Sequence, residues 1–205
     1  MPTLFHGSVT DGIETFHPFS HFGDLGQALA IVSKKLEDLY EGDFESTGFV
    51  LPPAPTVYEV EIDPAALAKP LHVADWGTPM VIGIAVAARD AFDADGPNPC
   101  KGSYQAFEGI RASLAAEKSG WVGKTDHGKA VANRALQRRG WQLLQAELQS
   151  RGWTCLAYDN IVEGETAAPS ICIPDPRHVR CVGKRTPSAF ELAGAKLQSS
   201  PLKPV

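Results

Sequence analysis

Several residue patterns that mark common kinds of functional site are missing from this chain. It has four cysteines among 205 residues and no Cys-x-x-Cys spacing, so neither a disulfide framework nor a cysteine zinc site is indicated. It also lacks the Gly-x-x-x-x-Gly-Lys-Ser/Thr string of a phosphate-binding P-loop and the Gly-x-Ser-x-Gly elbow of many serine hydrolases. We therefore expect no nucleoside-triphosphate hydrolysis and no acyl transfer. We also expect buried free thiols at Cys100, Cys155, Cys172 and Cys181.

Long apolar runs and an excess of positive charge are missing as well. The longest apolar run, Met80–Ala88, is far shorter than the roughly 20 residues that span a bilayer. The N-terminus lacks the basic-then-apolar order of a signal peptide. A formal net charge of -5 argues against nucleic acid or membrane as the main partner, and we interpret the small basic patch at Arg134, Arg138 and Arg139 as solvated surface. The chain is expected in the cytoplasm or delivered into a target cell.

Local patterns predict an α+β protein. A 43% hydrophobic content over this length fits one sizeable core, so a single domain is predicted over 1–184, with a weakly ordered tail over 185–205. Apolar periodicity predicts helices over 25–36 (with Asp24 as N-cap), 80–91, 104–118 and 129–151, the last broken or kinked near Gly140. Alternating or short apolar runs predict strands over 4–6, 56–62, 154–158, 170–173 and 179–182, with an extended segment over 69–77.

The candidate functional residues lie in two short patches near the two ends of the chain. The first contains Leu4-Phe5-His6-Gly7-Ser8 and His21-Phe22-Gly23, and the second is Tyr158-Asp159-Asn160-Ile161-Val162-Glu163-Gly164. The stretch between them has no equally sharp motif, so the fold itself must assemble any site that they share.

The order of these motifs resembles ADP-ribosyltransferase-like domains of bacterial and phage toxins and of polyvalent proteins. The resemblance covers about residues 3 to 182. The order LFHGS, HFG with its helix, VYEVEI, KPLHVADWG and GWTCLAYDNIVEG carries it, and the late residues Tyr158, Asn160, Glu163, Ser170, Asp175 and Pro176 follow the pattern of that family. The first strand has no arginine beside His6 and the chain has no Ser-Thr-Ser triplet, which favours the histidine-containing branch. The resemblance implies two small, mostly antiparallel sheets framing an NAD+ cleft, with helices inserted in the middle of the chain.

The resemblance also implies a mono-ADP-ribosyltransferase that moves ADP-ribose from NAD+ to a macromolecule. Cleaving the bond between nicotinamide and ribose builds positive charge on the sugar, which a nearby carboxylate stabilises. Glu163 is the candidate for that catalytic role, against a solvated loop acid as the alternative. Glu165 is the substitute, or a residue that positions the acceptor.

The remaining candidates would hold NAD+. His6 would hydrogen-bond a ribose hydroxyl, and Gly7, which has no Cβ, would approach the nicotinamide amide; the alternative for His6 is a core histidine bonded to backbone groups. An aromatic ring at Phe22 could stack on nicotinamide or pack in the core. The other cofactor-binding candidates are Ser8, His21, Gly23, Tyr158 and Asn160, with turn capping as the alternative for Ser8 and Asn160.

Other functions stay open from the sequence. His17 and His21 have the i, i+4 spacing of helical zinc sites, but Pro18 lies between them, so no metal is expected. The alternatives to a transferase are an NAD+ glycohydrolase of the same fold, a catalytically inactive interaction module, and an unrelated metal-dependent hydrolase. A protein is preferred over a nucleic acid as the acceptor, and a neutralising or immunity protein is compatible with a toxin-like effector.

Overall fold

The computed structural model describes residues 3–41, 52–78, 80–160 and 168–199. These residues form helices and two small sheets, which confirms the α+β class. The chain divides into two compact units, one comprising Met1–Pro64 with Asp159–Val205 and the other Ala65–Tyr158. The prediction of one domain over 1–184 stays a prediction. None of the described helices has both the length and the apolar character needed to cross a membrane.

A three-stranded antiparallel sheet lies in the first unit. Its strands are β1 (Leu4–Ser8), β3 (Thr56–Ile62) and β7 (Val179–Arg185), in the order β1-β3-β7. The central strand buries both of its faces at Val57 and Tyr58, although its sequence alternates like a half-buried strand. Tyr58 can be buried because its hydroxyl donates to the Thr10 carbonyl (2.8 Å) and accepts from the Ile13 amide (3.1 Å).

The second sheet starts in the same unit with β2 (Ser20–Phe22), which pairs antiparallel with β6 (Ala168–Ile173). The neighbour of β6 is β5 (Cys155–Asn160), whose last two residues belong to this unit. β6 ends at Ile173, directly before Pro174. This is the expected end of the strand, because proline has no backbone N–H to donate to the neighbouring strand.

Helix α1 (Leu25–Glu41) packs on the three-stranded sheet. Asp24 caps it as predicted, because the Asp24 carboxylate accepts from the Gln27 amide (2.8 Å) while the Gln27 side chain accepts from the Asp24 amide (2.9 Å). This reciprocal arrangement is a capping box.

The chain after Arg185 differs from the weakly ordered tail that the sequence predicts. It forms a helix, labelled α5 in chain order (Ala189–Ser199), with Ala195 buried in the same cluster as Ala28 and Val32 of α1. A second capping box starts it: Ser188 Oγ accepts from the Glu191 amide (3.2 Å) and Glu191 accepts from the Ser188 amide (2.9 Å). The apolar residues around Leu192 therefore pack on α1, a contact that the local sequence does not reveal.

The other unit is mainly helical. Its helices are α2 (Val81–Asp90), α3 (Lys101–Ser119) and α4 (Asp126–Ser150), and β4 (Pro70–His72) pairs in parallel with Cys155–Ala157 of β5. α4 is continuous through Gly140, so the predicted break there was wrong, while the alternative of a kink stays a prediction. A Cβ on Gly140 would lie 2.5 Å from Val81 Cγ2, so this glycine lets α2 and α4 approach closely.

The four thiols are free, as predicted, but only two are buried. Cys155 and Cys172 lie inside strands and are buried, whereas Cys100 and Cys181 are exposed. Burial raises the pKa of the Cys155 thiol to about 11, so that cysteine behaves as a small apolar residue.

Candidate functional site

The two early motifs, LFHGS and HFG, lie side by side in the first unit. The Phe5 amide donates to the Gly23 carbonyl (2.8 Å) and the Gly23 amide donates to the Phe5 carbonyl (3.1 Å). The His6 imidazole reaches across the same junction, with Nδ1 2.9 Å from the carbonyl oxygen of His21. His6, His21 and Gly23, predicted to share a site, are therefore joined by backbone and side-chain hydrogen bonds.

The His6 ring is set among aromatic side chains. Its centroid lies 5.2 Å from Phe16, 5.7 Å from Phe22 and 6.5 Å from Tyr58. Burial in this cluster, followed by the positive charge of Lys35, lowers the pKa of His6 to about 4. The imidazole is neutral at pH 7, and because a carbonyl can only accept, Nδ1 carries the proton and Nε2 carries the lone pair.

Gly7 follows His6 and lies directly under α1. A Cβ on Gly7 would overlap the carbonyl oxygen of Ala28 and lie 3.1 Å from Val32 Cγ2. The missing side chain therefore serves the packing of β1 on α1, a role that the sequence interpretation did not include. The Gly7 carbonyl also accepts from the Lys35 ammonium at 3.4 Å, which brings a cation to this end of β1.

Phe22 packs in the core and Ser8 makes a turn-capping hydrogen bond, while the contacts with NAD+ predicted for them stay predictions. Phe22 is 1% exposed and packs edge to face on Phe16, with 5.2 Å between centroids, so its ring is part of the core. Ser8 is buried, and its hydroxyl accepts from the Thr10 amide at 3.1 Å, as in a turn-capping serine.

β6, the strand that follows the late patch in the chain, pairs with β2 of the early patch. His21 lies opposite Cys172 and Phe22 opposite Ile171. One residue further along β6, Ser170 is buried, and a Cβ on Gly23 would lie 3.2 Å from its hydroxyl oxygen. That hydroxyl accepts from Nδ2 of the buried Asn160 at 3.4 Å.

One continuous set of neighbours thus links the two patches: His6, His21 and Gly23 of the early patch, Ser170 of β6, and Asn160 of the late patch. Of the predicted residues, Tyr158 belongs to the other unit. It is buried there, with its ring 4.7 Å from that of Trp76. Glu163 and Glu165 lie outside the described residues. Their predicted roles stay predictions, and along the chain Glu163 follows Asn160 by three positions.

The sequence interpretation missed Phe16, Tyr58 and Lys35 as neighbours of His6. Tyr58 is opposite His6 in the register of β1 with β3, and only its strand could be predicted. Phe16 lies in a segment without periodicity, where no local signal points to burial. Lys35 is on α1, and only the packing of α1 over β1 brings its ammonium to Gly7.

Three histidines, His6, His17 and His21, lie close together in this part of the sequence. Among residues 3–41, 52–78, 80–160 and 168–199, no group of three or more His, Cys, Asp or Glu side chains is arranged to hold a metal ion. His6 is instead held by a backbone carbonyl through Nδ1.

No family model, no curated protein and no solved structure matches this chain significantly.

Proposed function

We propose that this protein is a mono-ADP-ribosyltransferase that uses NAD+ as its substrate. The observation that supports the proposal most is the pairing of β2 with β6, because it brings Ser170, which accepts a hydrogen bond from Asn160, beside Gly23. The early motifs end at Gly23 and the late motif begins at Tyr158, 135 positions later in the sequence, yet Gly23 and Asn160 share Ser170 as a neighbour.

The state of His6 suits a substrate that develops positive charge. A neutral imidazole adds no repulsion when the ribosyl cation forms, whereas an imidazolium would. With Nδ1 committed to the His21 carbonyl, Nε2 would accept a hydrogen bond from a ribose hydroxyl. Lys35, close to Gly7, would supply a cation for the pyrophosphate.

Glu163 completes the proposed chemistry. Its carboxylate would orient the ribose and stabilise the oxocarbenium-like charge while nicotinamide leaves. Glu165 would position the acceptor. The two small sheets and the α+β class support an ADP-ribosyltransferase-like fold as part of this proposal.

The test is incubation of the full chain with NAD+ labelled in the adenylate phosphate and a cell lysate. Label that becomes acid-precipitable, and is released by protease but not by nuclease, is expected for a protein acceptor. Glu163→Gln should reduce incorporation by a factor of about 100 or more, since a removed electrostatic group typically costs that much in rate. Glu165→Gln, two positions away, should retain NAD+ cleavage but reduce incorporation, because Glu165 would position the acceptor and not stabilise the ribosyl cation.

The products also separate the rival functions. Free ADP-ribose without labelled macromolecule would identify a glycohydrolase of the same fold. Intact NAD+ in every condition would favour an inactive interaction module. Equal activity of Glu163→Gln and the unaltered chain would contradict the proposed role of Glu163.

The role proposed for His6 has its own variant. In His6→Asn, the amide can occupy the place of Nδ1 and keep the hydrogen bond to the His21 carbonyl, but it lacks an acceptor at the place of Nε2. We expect the variant to fold and to lose NAD+ affinity. Unchanged affinity would contradict the contact between His6 and the ribose.

A further inference from the structure

The first turns of α4, at the end of the hairpin that α3 and α4 form, contain no buried residue. α4 has 25 residues, but its buried residues are Leu136, Gly140, Leu144 and Leu148, and none of the residues 126–135 is buried. Arg139 contacts Glu117 near the end of α3 at 2.6 Å. The first turns of α4 therefore lack the apolar contacts that stabilise most protein helices.

The segment around the turn between α3 and α4 is positively charged, whereas the chain as a whole is negatively charged. Residues 118–139, here called the hairpin end, contain six lysines and arginines and one carboxylate, in a chain of formal net charge -5. Lys124 and Lys129 flank the start of α4, where the helix macrodipole disfavours cations. Helix stability does not explain this concentration of positive charge.

Most of these cations are not neutralised within the protein. Arg139 pairs with Glu117, and Lys129 lies 3.6 Å from Asp126. Within the part of the chain that the structure describes, the other four cations form no ion pair; they are Lys118, Lys124, Arg134 and Arg138. All four are exposed.

Arg134 and Arg138 are one helical turn apart on the same exposed face. The same stripe of α4 carries His127 and Val131, at the i, i+4, i+7, i+11 spacing of one face. Arg134 and Arg138 are about 6 Å apart along the helix axis. Guanidinium groups in such a row bind phosphate oxygens more specifically than lysines do, because they donate two parallel hydrogen bonds.

The turn between α3 and α4 also exposes apolar surface. Val122 is 92% exposed, and the adjacent Trp121 is half-buried. Proteins that bind single-stranded nucleic acid combine aromatic rings with positive charge, because unpaired bases stack on the rings while the cations attract the phosphates. Trp121 and the neighbouring lysines have this combination.

We propose that the hairpin end is a binding surface for the phosphate backbone of single-stranded nucleic acid, with Arg134 and Arg138 as the principal phosphate ligands and Trp121 as the stacking platform. The proposal is independent of the NAD+ chemistry, because the surface lies wholly within the unit Ala65–Tyr158 and needs no NAD+ to be tested.

The experiment measures fluorescence anisotropy of a labelled 30-nucleotide oligothymidylate titrated with the full chain at 50 to 200 mM salt. We compare the unaltered chain with Arg134→Gln/Arg138→Gln and with a matched control, Arg177→Gln/Arg180→Gln. The control removes the same two charges at exposed arginines outside the hairpin end. The hairpin variant should lose about tenfold in affinity and reduce the slope of log K against log salt by about 1.4, while the control stays within about twofold.

Trp121→Leu separates stacking from charge. It should weaken binding to oligothymidylate by about fivefold or more and leave the salt slope unchanged. Four results would overturn the proposal: no binding by the unaltered chain at 50 mM salt, equal loss in the hairpin variant and the control, an unchanged affinity in Trp121→Leu, or binding to phosphatidylserine vesicles without binding to the oligonucleotide. Circular dichroism of each variant checks that the helices persist.

Discussion

Replacing Gly7 with alanine tests the close approach of β1 to α1. The new methyl group would overlap the backbone oxygen of Ala28 and lie 3.1 Å from Val32 Cγ2. A backbone carbonyl within a helix cannot rotate away, so strand and helix would have to separate by on the order of 1 Å in a closely packed core.

Overpacking of this kind typically costs about 1–3 kcal/mol, and the fixed backbone neighbour places Gly7→Ala at the upper end of that range. For a chain of about 200 residues, 1 kcal/mol corresponds to about 2–4 °C of melting temperature. We therefore expect a loss of about 5–10 °C by circular dichroism, and a matching shift of the urea midpoint.

Gly194→Ala is the matched control for this substitution. Gly194 lies within α5 in the same unit, and a Cβ there would meet nothing within 4 Å. Alanine should stabilise that helix by about 0.5–1 kcal/mol. If Gly7→Ala were as stable as Gly194→Ala, the close approach of β1 to α1, and with it the account of Gly7, would be refuted.

Three further predictions concern the same unit. Because burial holds the pKa of His6 at about 4, below the value of about 6.5 in an unfolded chain, the contribution of the neutral ring to the free energy of unfolding is fully present above pH 6.5 and is lost, by up to about 3 kcal/mol, as the pH falls to about 4. Urea titrations of His6→Asn should lack this component, and an identical pH profile would argue against a partly buried, neutral imidazole. Phe22→Ala should cost about 3–5 kcal/mol in urea unfolding, since the ring is fully buried; a cost under 1 kcal/mol would mean that the ring is not in the core. Ser188→Ala should cost about 1 kcal/mol by removing the cap that accepts from the Glu191 amide, and unchanged stability would show that α5 does not depend on this cap.

Local sequence patterns predicted most of the helices and strands. The alternation in Thr56–Ile62 predicted β3 with its observed bounds, and the apolar period after Asp24 predicted α1 together with its N-cap. Period and capping depend on neighbours within a few residues, so they are present in the sequence itself.

What local sequence did not predict depended on distant contacts. The helix Ala189–Ser199 gains its burial from Ala28 and Val32 of α1, more than 150 positions earlier, and the Ser188-Glu191 capping box is the local signal of its start. Gly140 was interpreted as a helix breaker, although close packing with Val81 explains it. The aromatic neighbours of His6 depend on the register of β1 with β3, which no single segment encodes.

The most direct test of the central claim, that NAD+ binds at the imidazole of His6, is a nitrogen-15 NMR titration of histidine side chains in the full chain with NAD+. The spectrum of His6→Asn assigns the His6 signals, which should show a neutral ring with its proton on Nδ1 at pH 7. NAD+ is predicted to shift the Nε2 resonance while Nδ1 remains protonated. If NAD+ leaves both His6 resonances unmoved at concentrations that saturate cleavage or binding, or if no NAD+ binds, the proposed site is contradicted.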